Sequence, residues 1–305
     1  MSHPTHLYEL IVLGAGPAGV TASIYAARDR MDSILVAMEV GGQVSNSAEI
    51  ENYTGFQFIT GQELSGKLEE HLRKFKFEMK LEQINKVERE GNSFRVKTEG
   101  GNYLGKAVIV ATGRRPRELN IPGETQFKNR GITYCSTCDG PLFEGMDVAV
   151  IGGGNSALES ALQMAKIATS VHVITHGPAL RADKVYLEKA NESDRIKIIT
   201  NTNVLEVVGD RLVTGIKIQS KGKAPELLSV KGVFVEVGSV ANSQLVDFVK
   251  KNESGEIIVN AKCETNVPGL FAAGDVTDVP EKQIIVAAGE GCKAALSAFR
   301  YVSHA

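Results

Sequence analysis

Residues 8–13 form a β-branched and aliphatic run, and a second such run covers 33–37. Between them, residues 20–28 place alanine and other apolar side chains at helical spacing, directly after a cluster of glycines. Strand, glycine turn, helix, strand is the predicted order. An amphipathic helix is predicted over 64–75. Strands over 80–88, 93–98 and 102–104 make a small antiparallel meander with turns at Gly91-Asn92 and Gly100-Gly101. Residues 106–111 read as a fully apolar strand suited to the middle of a sheet.

The same order then recurs. A strand over 147–151 leads through a glycine turn to an alanine-rich helix ending at 167 and a strand over 170–175. A second meander covers 196–199, 202–208, 213–219 and 228–230, and an apolar strand over 232–238 closes it. The stretches 257–259 and 269–275 and an alanine-rich helix over 284–301 have no glycine turn of that kind before a helix. The repetition predicts an α/β fold of two Rossmann-like, three-layer dinucleotide-binding domains, each with a small antiparallel meander. The second domain is inserted into the first: 1–116 and 246–305 form one, and 117–245 the other.

A length of 305 residues suits two domains of ordinary size. The formal net charge of −2 gives no electrostatic reason to expect nucleic acid or an acidic membrane surface as partner. The basic cluster Arg114-Arg115-Pro116-Arg117 is short. The N-terminus is polar and its first apolar run breaks at Gly14, so neither a signal peptide nor a spanning helix is expected. The expected location is the cytoplasm.

The glycine turns carry the first candidate chemistry. Gly14, Gly16, Pro17, Ala18 and Gly19 follow the first strand, and Gly152, Gly154, Asn155, Ser156 and Ala157 follow the corresponding strand of the repeat, with Ala157 in place of the last glycine. Such turns let a pyrophosphate approach the backbone, and the helix N-terminus offers it free N–H groups. Glu39 follows the second strand, where an acidic side chain can bond an adenosine ribose hydroxyl. Gly42, Gln43 and Asn52 lie in a segment too polar for core, read here as a cofactor-contacting loop.

Cys135 and Cys138 stand two residues apart, with Asp139 immediately after them. Such a pair closes into a small disulfide, and its neighbours can make thiolate available near neutral pH. In a reducing compartment cysteine pairs are usually catalytic or metal-binding. Zinc would want further ligands, yet Cys263 and Cys292 stand alone and the six histidines lie at the termini or in unrelated segments. Redox chemistry is therefore assigned to the pair, and no metal is expected. Cys263 and Cys292 read as small packed side chains.

Gly14-Ala-Gly-Pro-Ala-Gly19, Cys135-Ser-Thr-Cys138-Asp-Gly, Gly152-Gly-Gly-Asn-Ser-Ala157 and Gly269-Leu-Phe-Ala-Ala-Gly-Asp-Val276, in this order, resemble the low-molecular-weight thioredoxin reductases of bacteria and archaea. The likeness runs essentially end to end. Cys138-Asp-Gly-Pro-Leu-Phe143, Ala261-Lys-Cys-Glu-Thr-Asn-Val267 and Lys282-Gln-Ile-Ile285 are also similar to the flavoprotein portion of alkyl hydroperoxide reductase. That family has an extra N-terminal module, for which there is no room before Gly14, so a stand-alone thioredoxin reductase is expected.

The resemblance implies FAD in the first domain, held by the Gly14 to Gly19 loop, Glu39, Gly42, Gln43 and Asn52, beside the strand ending at Ala111. Asp275 would bond the ribityl–phosphate region, and Lys282, Gln283 and Ile284 would line the flavin. It further implies a homodimer and, as partner, thioredoxin or a thioredoxin-like protein. In the implied cycle Cys138 is the thiol nearest the flavin, Cys135 attacks the partner's disulfide, and Asp139 is the acid–base group. The inserted domain would rotate between two poses.

One stretch departs from that pattern. Relatives that use NADPH carry a His-Arg-Arg run after the strand of the second domain, since guanidinium groups suit a 2′-phosphate. Here the matching residues are Thr175-His176-Gly177, with Arg181 as the outlying arginine. Users of NADH commonly place an acidic residue at the strand end, and Thr175 is not acidic. Three donors stay open: NADH with relaxed adenosine recognition, NADPH held through Arg181, His176 and Lys184, and a non-pyridine donor such as reduced ferredoxin or a deazaflavin. The acceptor has an alternative as well, a peroxiredoxin-reducing route using NADH. A non-redox nucleotide-binding regulator is disfavoured by the presence of Cys135, Cys138 and Asp139.

Overall fold

The computed structural model describes residues 6–46, 50, 52–134 and 136–304. The chain divides into two compact units, Met1–Arg115 with Val240–Ala305, and Pro116–Ser239.

The first unit begins with β1 (Leu7–Ala15), α1 (Pro17–Arg28) and β2 (Ser33–Val40). The helix starts earlier than its apolar spacing suggests, because Pro17 supplies a φ already set for the first helical position. Next come α2 (Gly61–Arg73), β3 (Glu78–Leu81), β4 (Ile84–Glu90), β5 (Ser93–Thr98), β6 (Asn102–Val110) and β7 (Arg114–Pro116). A capping box starts α2: the Thr60 hydroxyl accepts from Glu63 N, and the Glu63 carboxylate accepts from Thr60 N.

The main sheet of this unit runs β3-β2-β1-β6 in parallel and continues antiparallel through β5 and β4. Two expectations change here. The strand expected over 80–88 is two strands, and β3 joins the parallel sheet with Lys80 opposite Val36. The strands expected over 102–104 and 106–111 are one, β6. Its polar start pairs with β5 while the strand also runs parallel to β1, out to its apolar end.

The second unit contains α3 (Glu124–Phe127), β8 (Ile132–Thr133), α4 (Ser136–Asp139), β9 (Asp147–Ile151), α5 (Asn155–Ala165) and β10 (Ser170–Ile174). It continues with α6 (Lys184–Glu192), β11 (Ile196–Ile199), β12 (Thr202–Gly209), β13 (Val213–Ser220), β14 (Glu226–Leu228) and β15 (Gly232–Val235). The parallel sheet has the order β11-β10-β9-β15-β8, and β12, β13 and β14 form a separate antiparallel meander. The helix α6 was not anticipated: it is polar and buries only Ala190.

The chain returns through β16 (Ser239–Ala241), which pairs with β7. The return falls earlier than expected, because Ala241 and Leu245 are buried with Val87 and Phe94 in the first unit's core. The strand expected over 257–259 reduces to single bridges from Ile257 to Lys251 and Thr277. Finally β17 (Leu270–Ala272) lies parallel beside β6, and α7 (Ile284–Ser303) packs on α1. Among the described residues no helix is long and apolar enough to cross a membrane.

Candidate functional site

The first glycine turn is built by close backbone approach. Gly14 has φ +98°, and a Cβ there would lie 2.4 Å from the Ala111 carbonyl oxygen. The ends of β1 and β6 thus meet with no side chain between them. A Cβ on Gly19, in the first turn of α1, would fall closer still, 1.7 Å from the Gly14 carbonyl oxygen. Gly16 caps α1 and has open space: a Cβ would meet only Gly41 O, at 4.0 Å. No side chain caps this helix, so its first N–H groups keep that capacity for another acceptor. A Cβ on Gly42 would lie 3.3 Å from the Gly16 Cα, and the Gln43 amide lies 3.9 Å from the Cβ position of Gly113.

The end of the chain supplies the other side. A Cβ on Gly274 would sit 3.1 Å from that of Ala18, which brings the Gly274-Asp275 turn onto α1. Burial pushes the Asp275 carboxyl up, against the pull of Lys282 and Arg114. Glu290, buried in α7, accepts from Gly274 N (2.8 Å) and Thr277 Oγ1 (3.5 Å) and so pins the turn. Glu290 was missed by sequence reasoning; its only signal is a lone carboxylate in an alanine-rich helix. Asn52 Nδ2 donates to Gln283 Oε1 (3.1 Å), just before Ile284 opens α7. Lys282 Nζ donates to Thr277 O (2.5 Å) and meets Glu256 (3.1 Å), which also pairs with Arg114. Glu39 is exposed near the end of β2.

In the second unit Cys138 lies within α4, and Cys135 lies outside the described residues. Thr133, at the end of β8, donates its hydroxyl to the Asp139 carboxylate and so ties the end of α4 to the strand. Tyr134 donates to Glu124 Oε1 (2.8 Å), and Lys128 Nζ stands 5.1 Å from the centre of its ring. Burial, then the Glu124 hydrogen bond, raises the Tyr134 phenol well above its ordinary value. Glu124 is itself buried and accepts from Leu119 N and Asn120 N (2.7 and 2.6 Å). The residue preceding Cys135 is therefore anchored through a carboxylate that the sequence did not single out.

The second glycine turn repeats the first. Gly152 has φ +155°, and a Cβ would fall 2.2 Å from Glu236 O, with Ala157 Cβ at 2.9 Å. Gly154 caps α5, again without a side-chain cap. Asn155, the first residue of the helix, exchanges hydrogen bonds with Asp183 (2.9 and 2.8 Å), and Ser156 follows it. Thr175 is buried; its hydroxyl accepts from Gly177 N (3.3 Å) and lies 2.7 Å from the Cβ position of Gly153. His176 and Arg181 are exposed, and Arg181 reaches the turn by its backbone, N to Gly153 O at 2.6 Å. His176 lines a shallow cleft of about 230 Å³ with Asn201, Asn203, Gln219 and Lys221.

Cys263 is buried, its Sγ 3.6 Å from Glu290 O, and burial pushes the thiol up to about 11. That thiol has the environment of a packed side chain.

The family model of the pyridine nucleotide-disulphide oxidoreductases matches residues 8–291, and the chain belongs to that family. It is thus a flavoprotein oxidoreductase with FAD as cofactor and NADH or NADPH as the family's donor. Within the family its fold is that of the low-molecular-weight thioredoxin reductases. The thioredoxin reductase of Lactococcus lactis superimposes with a TM-score of 0.88 at 35% identity, covering 98% of this chain and 100% of that one. Over 299 residues the chain is 43% identical to an alkyl hydroperoxide reductase component of Staphylococcus aureus, covering 97% of this chain and 59% of that protein. It is 42% identical over 299 residues to a protein of Bacillus subtilis named NADH dehydrogenase, covering 97% and 58%. The chain spans about three fifths of the length of these curated relatives.

The first unit fits FAD. The Gly16 cradle is open, the α1 N-terminus has no side-chain cap, and the half-buried Asp275 carboxylate accepts no hydrogen bond from the described residues. A desolvated carboxylate without a donor suits a ligand hydroxyl.

Proposed function

We propose that the chain is a FAD-dependent disulfide reductase whose Cys135 and Cys138 deliver two electrons to the disulfide of thioredoxin or a thioredoxin-like protein. The observation that supports this best is the fastening of the Cys-x-x-Cys segment: Thr133 holds Asp139 at one end, and Ser160 holds Ser136 inside it (2.8 Å). Bound FAD supplies the means to accept a hydride and release electrons as a pair, which side chains lack. Gly14, Gly16, Pro17, Ala18 and Gly19 hold its pyrophosphate, with Glu39, Gly42, Gln43, Asn52, Ala111, Asp275, Gln283 and Ile284 around the rest. Lys282 acts through the turn it ties to Glu256 rather than as an open ammonium group.

The reduced pair acts by thiol–disulfide exchange. The Cys135 thiolate attacks one sulfur of the partner's disulfide and the other sulfur leaves as thiolate. Cys138 then attacks the mixed disulfide, which releases the partner as a dithiol and closes the disulfide between Cys135 and Cys138. Asp139, with Thr133 on one oxygen, holds and returns the proton of that exchange.

NADH is the donor we assign to the second glycine turn, through Gly152, Gly154, Asn155, Ser156 and Ala157. The Thr175 hydroxyl is used within its own turn, and no guanidinium pair follows it, so a 2′-phosphate gains only the exposed His176, Arg181 and Lys184. In an anaerobic cuvette NADH should bleach the flavin faster than NADPH or reduced ferredoxin; fastest bleaching by micromolar NADPH overturns this assignment.

A second reading is favoured by the 43% identity to the Staphylococcus aureus alkyl hydroperoxide reductase component: electrons leave to a peroxiredoxin-linked adaptor. Thiol counting after reduced chain meets oxidised thioredoxin or such an adaptor separates the two. We also assign the chain to the cytoplasm as a homodimer; sedimentation at monomer mass would remove the dimer.

A further inference from the structure

The end of β15 carries a group that the exchange above does not use. Glu236 follows Val235 directly, donates its backbone N–H to Ile151 O (2.7 Å), and borders the second glycine turn with its carbonyl. Its carboxylate lies 2.6 Å from Ser160 Oγ on α5. Ser160 Oγ lies 2.8 Å from Ser136 Oγ, and Ser136 Oγ lies 3.3 Å from Gln163 Oε1. Both serines are buried. An unbroken chain of hydrogen bonds thus joins the strand end to the segment between Cys135 and Cys138.

Each hydroxyl has one proton to give, so the chain has a direction. With Glu236 ionised, Ser160 donates to the carboxylate and its oxygen is left to accept from Ser136. With Glu236 protonated, the carboxyl donates to Ser160, Ser160 donates to Ser136, and Ser136 donates to Gln163. The two proton states therefore impose opposite hydrogen-bond roles on Ser136.

Both states are within reach of ordinary conditions. Burial pushes the Glu236 carboxyl up to about 7, Ser160 pulls it down, and Glu159 on α5 pushes it up. The titratable residues on the elements around it are Glu159 of α5, Cys138 and Asp139 of α4, and Asp147 at the opposite end of β9. Asp139 is engaged by Thr133. No cation opposes the upward push among the described residues.

We propose that Glu236 is a positioning residue for Cys135 and Cys138: through Ser160 and Ser136, its proton sets the direction of the hydrogen bonds reaching the segment between them. The coupling is reciprocal, so the redox state of the pair changes how tightly Glu236 holds its proton. A thiolate formed on reduction adds a like charge to the segment that this chain of hydrogen bonds reaches, and raises that hold. The proposal rests on reading the two cysteines as a redox pair, and not on which protein receives the electrons.

The test is a 13C NMR titration of glutamate carboxyls in the full flavin-loaded chain, with the Glu236 signal assigned by its loss in Glu236→Gln. The midpoint should lie near 7 in the oxidised chain and rise by at least about half a pH unit after dithiothreitol. Alkylation of the reduced pair by iodoacetamide should show an inflection near pH 7 that is absent in Glu236→Gln and in Ser160→Ala. A Glu236 midpoint near the ordinary value of 4.5, or one that does not move on reduction, overturns the proposal. Persistence of the inflection in both variants overturns it as well. If dithiothreitol releases no new thiols, the redox reading fails and the proposal fails with it; normal thiol release with an unmoved Glu236 removes the proposal alone.

Discussion

Glu236 sits half-buried at the end of β15, and burial lifts its carboxyl from an ordinary 4.5 to about 7. Across that window the native chain keeps a proton that the unfolded chain has released, so Glu236 makes stability fall as pH rises from 4.5 to about 7. Glu236→Gln removes the loss. Urea unfolding should find the variant more stable than wild type at pH 8, by up to about 3 kcal/mol, and equal to it at pH 4. The same difference at both pH values would contradict the burial argument. A second residue-scale prediction concerns the donor. Gly177 has no positive φ, and a Cβ there meets only Ala179 O at 3.3 Å and Thr175 Oγ1 at 3.7 Å. Gly177→Arg should therefore strengthen NADPH binding by about 1.5–3 kcal/mol, the range for a hydrogen bond to a charged group, and leave NADH nearly unchanged. Isothermal titration with each nucleotide checks it. At this scale Cys135, Cys138, Asp139 and both glycine turns could be nominated as candidates because the chemistry proposed for them is written in local spacing. Ser160 and Glu236 could not, since their meaning lies in partners far along the chain, 76 positions apart. Glu124 could not, because its burial and its bonds to Leu119 N and Asn120 N appear only once the loop is folded.

Among the elements, α7 shows why the last alanine-rich stretch belongs to the first unit. A Cβ on Gly291 would lie 2.0 Å from the Ala18 carbonyl, so α7 rests directly on the first turn of α1. Gly291→Ala must push the helices apart where the Gly14 to Gly19 turn is held. The expected cost is about 1–3 kcal/mol, typical of overpacking, together with weaker retention of FAD. Thermal melts and flavin absorbance after gel filtration measure both, and wild-type behaviour in each would contradict this packing. The elements that sequence misdrew have a common cause. β6 changes partners along its length, so its polar start and apolar end read as two strands. β3 is short and polar because it forms the edge of the parallel sheet, paired only with β2, and so lacks the apolar run of an inner strand. α6 buries too little for periodicity to reveal it.

At the scale of the whole molecule, two units repeat one plan: a glycine turn opening a helix without a side-chain cap, beside a parallel sheet, with an antiparallel meander that continues the sheet in the first unit and is separate in the second. That duplication was visible in the sequence because both turns carry their glycines. The point at which the chain returns was not, because 240–245 is too short and too mixed to declare its core. In the function proposed above the two units divide the work: the first would hold FAD, and the second would carry the exchange pair beside the second glycine turn. The most direct measurement is an anaerobic thiol count. The flavin-loaded chain is reduced by dithionite, the excess is removed, and oxidised thioredoxin is added. The expected result is a gain of two thiols per thioredoxin with return of the oxidised flavin spectrum, and no gain with Cys138→Ser although its flavin still reduces. Unchanged thioredoxin thiols beside a fully reduced wild-type chain, or an equal gain with Cys138→Ser, would contradict the account.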